Sequence, residues 1–400
     1  MKAIDCLYDK PQCDPCQGAG LGWLIRDLEG KRLPCHNRCV TDAHSPAVTI
    51  DDVAKAAGVH AATVSRALRG VAGKVSAARR AEIQRIAREL GYQPNFVAAS
   101  LRTKQTHLAA IVVPDLGNPL FAPIVQGLER TLRQQQLLSL VVQTPLDPAE
   151  RRDLVHALAS RHVSGLLVLA AESDDAMLEA ARERRLPTVL VNRGAGDRAF
   201  SSVVNDDRES VRLVLEHLHG LGHRSIAHVA GPAASSTGRA RREAFEAQTR
   251  GLGPRAGYPV VEATAFTRAA GQAAARQLFN GRRAVTAVFA ANDLIALGVL
   301  DVLRELHIAV PERLSLVGHN DMPLVDLIDP PLTTVRVAVE QMSEQAAELF
   351  LQLLKRPDLP ASTRVLMPTF VQRGSTAAVL QDGTSGPRSR PAVRRRHAPS

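Results

Sequence analysis

All five cysteines fall within residues 6–39 of the 400-residue chain, and none follows. Cys13 and Cys16 are two residues apart, Cys35 and Cys39 three apart, and eighteen residues separate the pairs. Thiolates at these spacings can close a tetrahedral zinc site, with Gly18 and Gly20 supplying turns beside the first pair and Cys6 left over. Two other readings stay open. The segment is a loose tail of reduced thiols, or translation begins downstream at Val40 or Val48 and the extension is not made. A second set of side chains, Thr63, Ser65 and Arg66, forms the exposed polar face of a short helix, an inventory suited to a polyanion. Covalent chemistry has no comparable carrier. The chain lacks a P-loop, a nucleophile elbow and HExxH, and His217, His219, His223 and His228 have no matching acid cluster. The expectation is a protein that is not an enzyme and requires no cofactor.

The elements around the polar helix give it a purpose. Thr49 and Asp52 make a capping-box-like start, and Ile50, Val53, Ala54 and Ala57 recur as one apolar helix face. Gly58-Val59-His60 makes a tight turn. Ala61 to Leu68 then forms a second short helix, with Val64 and Leu68 inward. Ser76 caps a third helix, whose core face is Ile83, Ile86, Ala87 and Leu90 and which Gly91 stops. Two short helices around a three-residue turn, braced by a third, describe a helix-turn-helix whose second helix is sized for the major groove. The alternative, a three-helix cap on the rest of the protein, sits poorly with the charge. Residues 47–106 carry ten basic and four acidic residues, a local excess of +6 within a chain of net charge +10. That is the footprint of a nucleic-acid module.

Beyond residue 106 short apolar runs alternate with helical patterns. Strands are expected at 108–113, 137–142, 165–169, 188–191, 225–229, 286–290, 314–317 and 333–337, with helices over 123–136, 208–221, 269–279 and 294–306 among others. This alternation implies parallel sheets covered by helices, and the length allows two sheets with a cleft between lobes. The longest apolar runs have strand length, far below the roughly 20 residues of a membrane helix. The start lacks the continuous apolar core of a signal peptide, so the expected location is the cytoplasm. Five parts result: a cysteine-bearing extension (1–46), a headpiece (47–93), a hinge and linker (94–106), a core (107–376) and a basic, Pro-rich tail (377–400).

The runs VTIDDVAKAAGVHAATVSRALRG and VSAARRAEIQRIARELGYQPNFVAASLRTKQT resemble the lactose-repressor (LacI/GalR) family of bacterial regulators. The likeness continues through IVVPDLGNPLFAPIVQGLE, GLGHRSIAHVAGP, VFAANDLIALGVL, VPERLSLVGHNDMP and DPPLTTVRV, in the family's order, over about residues 47–372. The resemblance implies a homodimeric transcription factor that binds a pseudopalindromic operator. It further implies a core of two Rossmann-like lobes, like periplasmic sugar-binding proteins, joined by three crossovers. Dimers could pair into tetramers. Ala61 and Ala62 occupy the positions that vary with operator sequence; they can touch a thymine methyl but cannot hydrogen-bond a base edge. Thr63 and Ser65 match phosphate contacts. Arg66 matches a base-reading arginine suited to guanine, with a phosphate clamp as its alternative. Residues 94–101, including Asn95 and Ala98, match a hinge helix too short to be stable alone. Leu101 matches the leucine that wedges into the minor groove; a plain linker is the bland reading.

In the core, the resemblance places effector contacts at strand ends: Phe121 as an apolar wall, then Asn192, Arg193, Arg241, Asn292, Asp293 and Asn320. The set suits a polyhydroxylated ligand. Asn192 and Asn320 are amides where the family often has aspartate, which shifts the expectation toward a sugar acid. For each residue a turn or strand-cap role is the alternative. The function implied is a repressor controlled by a carbohydrate effector. A sugar-binding transport protein would fit the core alone, and a phosphoprotein corepressor could replace the small effector.

Overall fold

The structure, a computed structural model, describes residues 48–68, 75–92, 106–169, 171–172, 175–194, 200–252, 257–280 and 285–379. These fall into two compact units, a headpiece and a core.

The headpiece consists of α1 (Ile50–Ala57), α2 (Ala61–Leu68) and α3 (Ala77–Glu89). Thr49 and Asp52 cap α1 reciprocally, the Thr49 side chain accepting from the Asp52 N–H and the Asp52 carboxylate accepting from the Thr49 N–H at 2.8 Å. Gly58 ends α1 at φ 61°, left-handed backbone that a Cβ would strain. Seven small or branched residues, Val53, Ala54, Ala57, Val64, Ala67, Ile83 and Ala87, form its sealed core. On α2 Ala67 joins Val64 on the buried face, because i+3 neighbours share it, and Leu68 packs half-buried against the same core. One inward assignment needs correction. On α3 Leu90 is 40% exposed, since it stands at the C-cap where the helix leaves the core.

The core holds two parallel sheets. The first has the order β11-β5-β4-β3-β1-β2, from β1 (Leu108–Val113), β2 (Leu138–Gln143), β3 (Gly165–Val168), β4 (Thr188–Asn192), β5 (Ser201–Asn205) and β11 (Thr363–Leu366). The second has the order β7-β6-β8-β9, from β6 (Ile226–Ala230), β7 (Val260–Glu262), β8 (Ala287–Ala290) and β9 (Ser315–Val317). Central strands such as β3, β4, β6 and β8 are buried throughout, as parallel strands covered on both faces must be. The first sheet is flanked by α4 (Phe121–Gln134), α5 (Pro148–Ser160), α6 (Ala176–Glu183) and α11 (Val339–Lys355). The second carries α7 (Asp207–Gly220), α8 (Ser236–Thr249), α9 (Arg268–Asn280) and α10 (Asp293–Glu305). At Gly165 a Cβ would lie 2.3 Å from the Pro187 carbonyl oxygen and 2.7 Å from the Phe350 ring, so a bare backbone lets α11 seat against the sheet.

The chain passes between lobes three times: between β5 and α7, after β10 (Thr334–Arg336) into α11, and from β11 into β12 (Thr369–Val371), which pairs antiparallel with β10. Hydrogen bonds to the core reach slightly beyond residues 107–376 at both ends. Thr106 hydrogen-bonds to the His162 carbonyl. At the other end, the Ala377 N–H donates to Ser315 Oγ at 3.0 Å and the Val379 N–H to the Leu221 carbonyl at 3.0 Å. The core therefore includes 106 and 377–379. No helix among the described residues is long and apolar enough to cross a membrane.

Candidate DNA-reading helix and effector cleft

The turn before α2 is built from His60. Its carbonyl accepts the Thr63 N–H at 2.7 Å, and its Nδ1 accepts the Ala62 N–H at 3.2 Å, a capping role not evident in the sequence. Arg79 of α3 donates from Nη2 to the Ala57 carbonyl at 2.8 Å, fixing the third helix to the end of the first. With Val64 and Ala67 inward, Arg66 is exposed, and Ala62, Thr63 and Ser65 are half-buried. Ala61 packs partly on the headpiece core. Asn95, Ala98 and Leu101 of the hinge, and Cys13, Cys16, Cys35 and Cys39, lie outside the described residues. No group of metal-ligating side chains stands among those that are described.

In the core, the C-terminal ends of the parallel strands converge, the place where open α/β sheets bind ligands. One narrow cleft is lined by Phe121, Asn192 and Arg193 from the first lobe and by Arg241, Asn292 and Asn320 from the second. Asn118, Thr237 and Phe266 also line it and were missed in the sequence. Two of these had a signal: Asn118 belongs to the same NPLF turn as Phe121, and Thr237 lies one helical turn before Arg241 on α8. The free space is about 20 Å³, room for about one water molecule. A larger groove of about 800 Å³ shares Asn192 and Thr237, runs along β5 and α8, and is lined by Asp207 but not by the two arginines themselves.

Arg241 is almost fully buried, its side chain 3% exposed. Its Nε donates to Asp207 Oδ1 at 2.7 Å and its Nη1 to the Ala291 carbonyl. Burial pushes the Asp207 carboxyl above its ordinary range, against the opposing pull of Arg241. Arg193 lies with its guanidinium carbon 4.9 Å from the centre of the Phe266 ring. Burial, and then repulsion from Arg241, lower its pKa to about 10. Asn292 caps α10, its Oδ1 accepting the Ile295 N–H at 2.8 Å.

Asp293 stands apart from the other expected contacts. It is completely buried and is not among the cleft residues. Its oxygens accept from Thr334 Oγ1 at 2.6 Å and the Met322 N–H at 2.8 Å. Burial pushes its carboxyl up to about 7 despite those bonds. The side chain ties α10 to the strand-end loops of its own lobe. The adjacent helix cap already turns Asn292 toward the cleft, so its neighbour necessarily points away.

The profile of bacterial regulatory proteins, lacI family, matches residues 49–95. The HTH-type transcriptional regulator MalR of Streptomyces coelicolor is 34% identical over 350 residues, 85% of this chain and 98% of its own length. The chain belongs to the lacI family of bacterial regulatory proteins. A periplasmic binding protein-like domain matches residues 215–376. The ribose operon repressor of Escherichia coli is 29% identical over 330 residues, 82% of this chain and 99% of its own length. Among solved structures, the lac repressor dimer bound to operator and the anti-inducer ONPF superposes with a TM-score of 0.74 at 27% identity, over 83% of this chain and all of that one. A complex of the transcriptional regulator CelR with cellobiose gives 0.63 at 30% identity, over 82% of this chain and 99% of that one. As a lacI-family member the chain is a DNA-binding transcriptional regulator with a helix-turn-helix and a periplasmic-binding-protein-like core.

Proposed function

We propose that the chain acts in the cytoplasm as a homodimeric repressor, without catalysis of its own, whose operator affinity is set by a carbohydrate effector bound between the core lobes. One observation carries the reading: side chains from both lobes line a single cleft. A ligand touching both lobes gains or loses contacts when their arrangement changes, and that differential affinity is what shifts a conformational equilibrium. The cleft has room for about one water, whereas small-molecule sites run to roughly 300–1,000 Å³, so ligand entry requires the lobes to move apart. The hinge residues Asn95, Ala98 and Leu101 are proposed to carry the change to the headpiece.

A dimer suits the exposed apolar side chains. Leu138 and Val141 on the edge strand β2, and Leu324 and Leu327 in the second lobe, lie open to solvent. Two headpieces then read two half-sites. The ribose operon repressor and the cellobiose complex of CelR are relatives that support a carbohydrate ligand. The cysteine extension, where translated, is proposed to hold one zinc ion through Cys13, Cys16, Cys35 and Cys39. Selection of bound DNA from a random pool, repeated with sugars and sugar acids, tests the function. A pseudopalindrome whose enrichment one sugar alters is the expected result; enrichment without sequence preference would rule it out.

A further inference from the structure

Four asparagines line the cleft, and their side-chain oxygens share one property. Asn118 Oδ1 accepts the Leu120 N–H at 3.1 Å. Asn192 Oδ1 accepts from Asn205 Nδ2 at 3.5 Å. Asn292 Oδ1 accepts the Ile295 N–H at 2.8 Å, and Asn320 Oδ1, 3.0 Å from His319 Nδ1, accepts from the Nδ1–H tautomer of that ring. Each of these oxygens already accepts one hydrogen bond within the protein, so the NH₂ ends are the less committed half of each amide toward a ligand. Beside them stand two guanidiniums, which only donate. Arg193 Nε is sealed from solvent and has no hydrogen-bond partner. A buried charged donor without an acceptor costs stability and calls for an explanation.

The charges point the same way. Among the described residues near the two arginines, Asp207 is the one carboxylate paired with them, through Arg241. Glu172 is 3.0 Å from Arg151 and 41% exposed, Asp206 accepts the Glu209 N–H at the start of α7, and Asp293 is occupied within its own lobe. Arg241 is ion-paired with Asp207, whereas no carboxylate hydrogen-bonds to Arg193, on which Glu172 and Asp207 act only through space. Hydroxyl groups both donate and accept, so a wall of donors satisfies only half of what a neutral sugar offers. A carboxylate accepts only and carries one negative charge.

We propose that the effector is a carboxylate-bearing sugar, an aldonate or uronate, whose acid group is gripped by Arg193 and Arg241 among the amide ends of Asn118, Asn192, Asn292 and Asn320. The inference rests on the reading of this cleft as the effector site and adds the chemical class. A neutral hexose leaves Arg193 Nε without a charged acceptor.

Calorimetric titration of the full-length protein with chemically matched probes tests it: D-glucuronate, D-galacturonate and D-gluconate against D-glucose, D-galactose and D-glucose 6-phosphate. At least one acid should bind about tenfold or more tightly than its neutral counterpart, a difference of about 1.4 kcal/mol. Arg193→Gln should collapse the acid-to-neutral affinity ratio to near unity, with acid affinity falling by about tenfold more than neutral-sugar affinity, and Arg193→Lys should restore part of that ratio. Thermal denaturation confirms that each variant is folded. Neutral sugars binding as tightly as the acids would overturn the carboxylate assignment and leave the carbohydrate reading standing; so would a preference for the phosphate ester or one unchanged in Arg193→Gln. Binding of no probe at all would overturn both.

Discussion

Replacing Arg241 by alanine separates two jobs that sequence alone assigns to one. Its side chain is 3% exposed, its partner Asp207 12%, and their contact is 2.7 Å. Removing one member of a buried ion pair strands the other charge and costs about 3–5 kcal/mol. Folded proteins hold only about 5–15 kcal/mol in reserve, so the variant should fold but be weakened. For a core of this size the melting temperature should drop by roughly 10 °C. Adding Asp207→Asn removes the stranded charge, and the double variant should recover most of the loss. The sign of the pH effect follows from the raised Asp207 pKa. The folded core binds that proton more tightly than the unfolded chain, so stability is present at low pH and is lost as pH rises through the folded value. Without Arg241 the folded value rises further, and the penalty of the single variant should be larger at pH 8 than at pH 5. Thermal denaturation of wild type, both single variants and the double variant at the two pH values measures this. Additivity of the two single effects to within about 0.5 kcal/mol, or a penalty independent of pH, would refute a buried, coupled pair. Effector response should accordingly be measured in the double variant, where loss of binding is not confused with loss of fold.

Arg66→Ala should weaken operator binding by roughly 1–3 kcal/mol and relax preference at one base pair; an equal loss for every sequence in a competition assay identifies a phosphate contact instead. Gly58→Ala places a Cβ on left-handed backbone and should cost the headpiece about 1–2 kcal/mol, read from headpiece melting, with effector binding unchanged. His228 is fully buried against Phe289 and Phe245, and burial lowers its pKa to about 4. Its contribution is present above the unfolded value and fades as pH falls from about 6.5 toward 4, so His228→Leu should flatten the acid limb of the core's stability curve; an unchanged limb removes His228 as its cause. Metal analysis of untagged protein should find about one zinc per chain that Cys13→Ser removes, and a native N-terminus near Val48 in intact mass would end that proposal.

The strands expected at 108–113, 165–169, 188–191 and 286–290 match β1, β3, β4 and β8 to within a residue, because fully buried parallel strands are continuous apolar runs. β5 was illegible. Its Ser-Ser-Val-Val-Asn sequence is short and polar-ended, and one of its neighbours is β11, about 160 residues later in the chain. β7 and β12 have three residues each and, unlike the equally short β9 within Leu314–Val317, carry an exposed polar residue, Glu262 and Thr369, that breaks the apolar run. At the cleft, Asn192, Arg193, Arg241, Asn292 and Asn320 were readable because strand ends in a parallel sheet converge on one side. Asn292 and Asp293 could not be told apart without the helix cap that turns one toward the cleft and the other into its own lobe. Phe266 stood in a loop with no pattern to mark it. The engagement of every asparagine oxygen depends on partners such as Asn205 and on backbone N–H groups, which only the folded backbone brings into place.

Linkage between the two sites is the core of the account. Operator affinity should be measured by fluorescence anisotropy with and without the ligand that binds most tightly in the calorimetric panel, and the affinity of that ligand measured for free and operator-bound protein. The ligand should change operator affinity by a factor well above unity, and the operator should change ligand affinity by the same factor, as a shared equilibrium requires. A ligand that occupies the cleft and leaves operator affinity unchanged would contradict it.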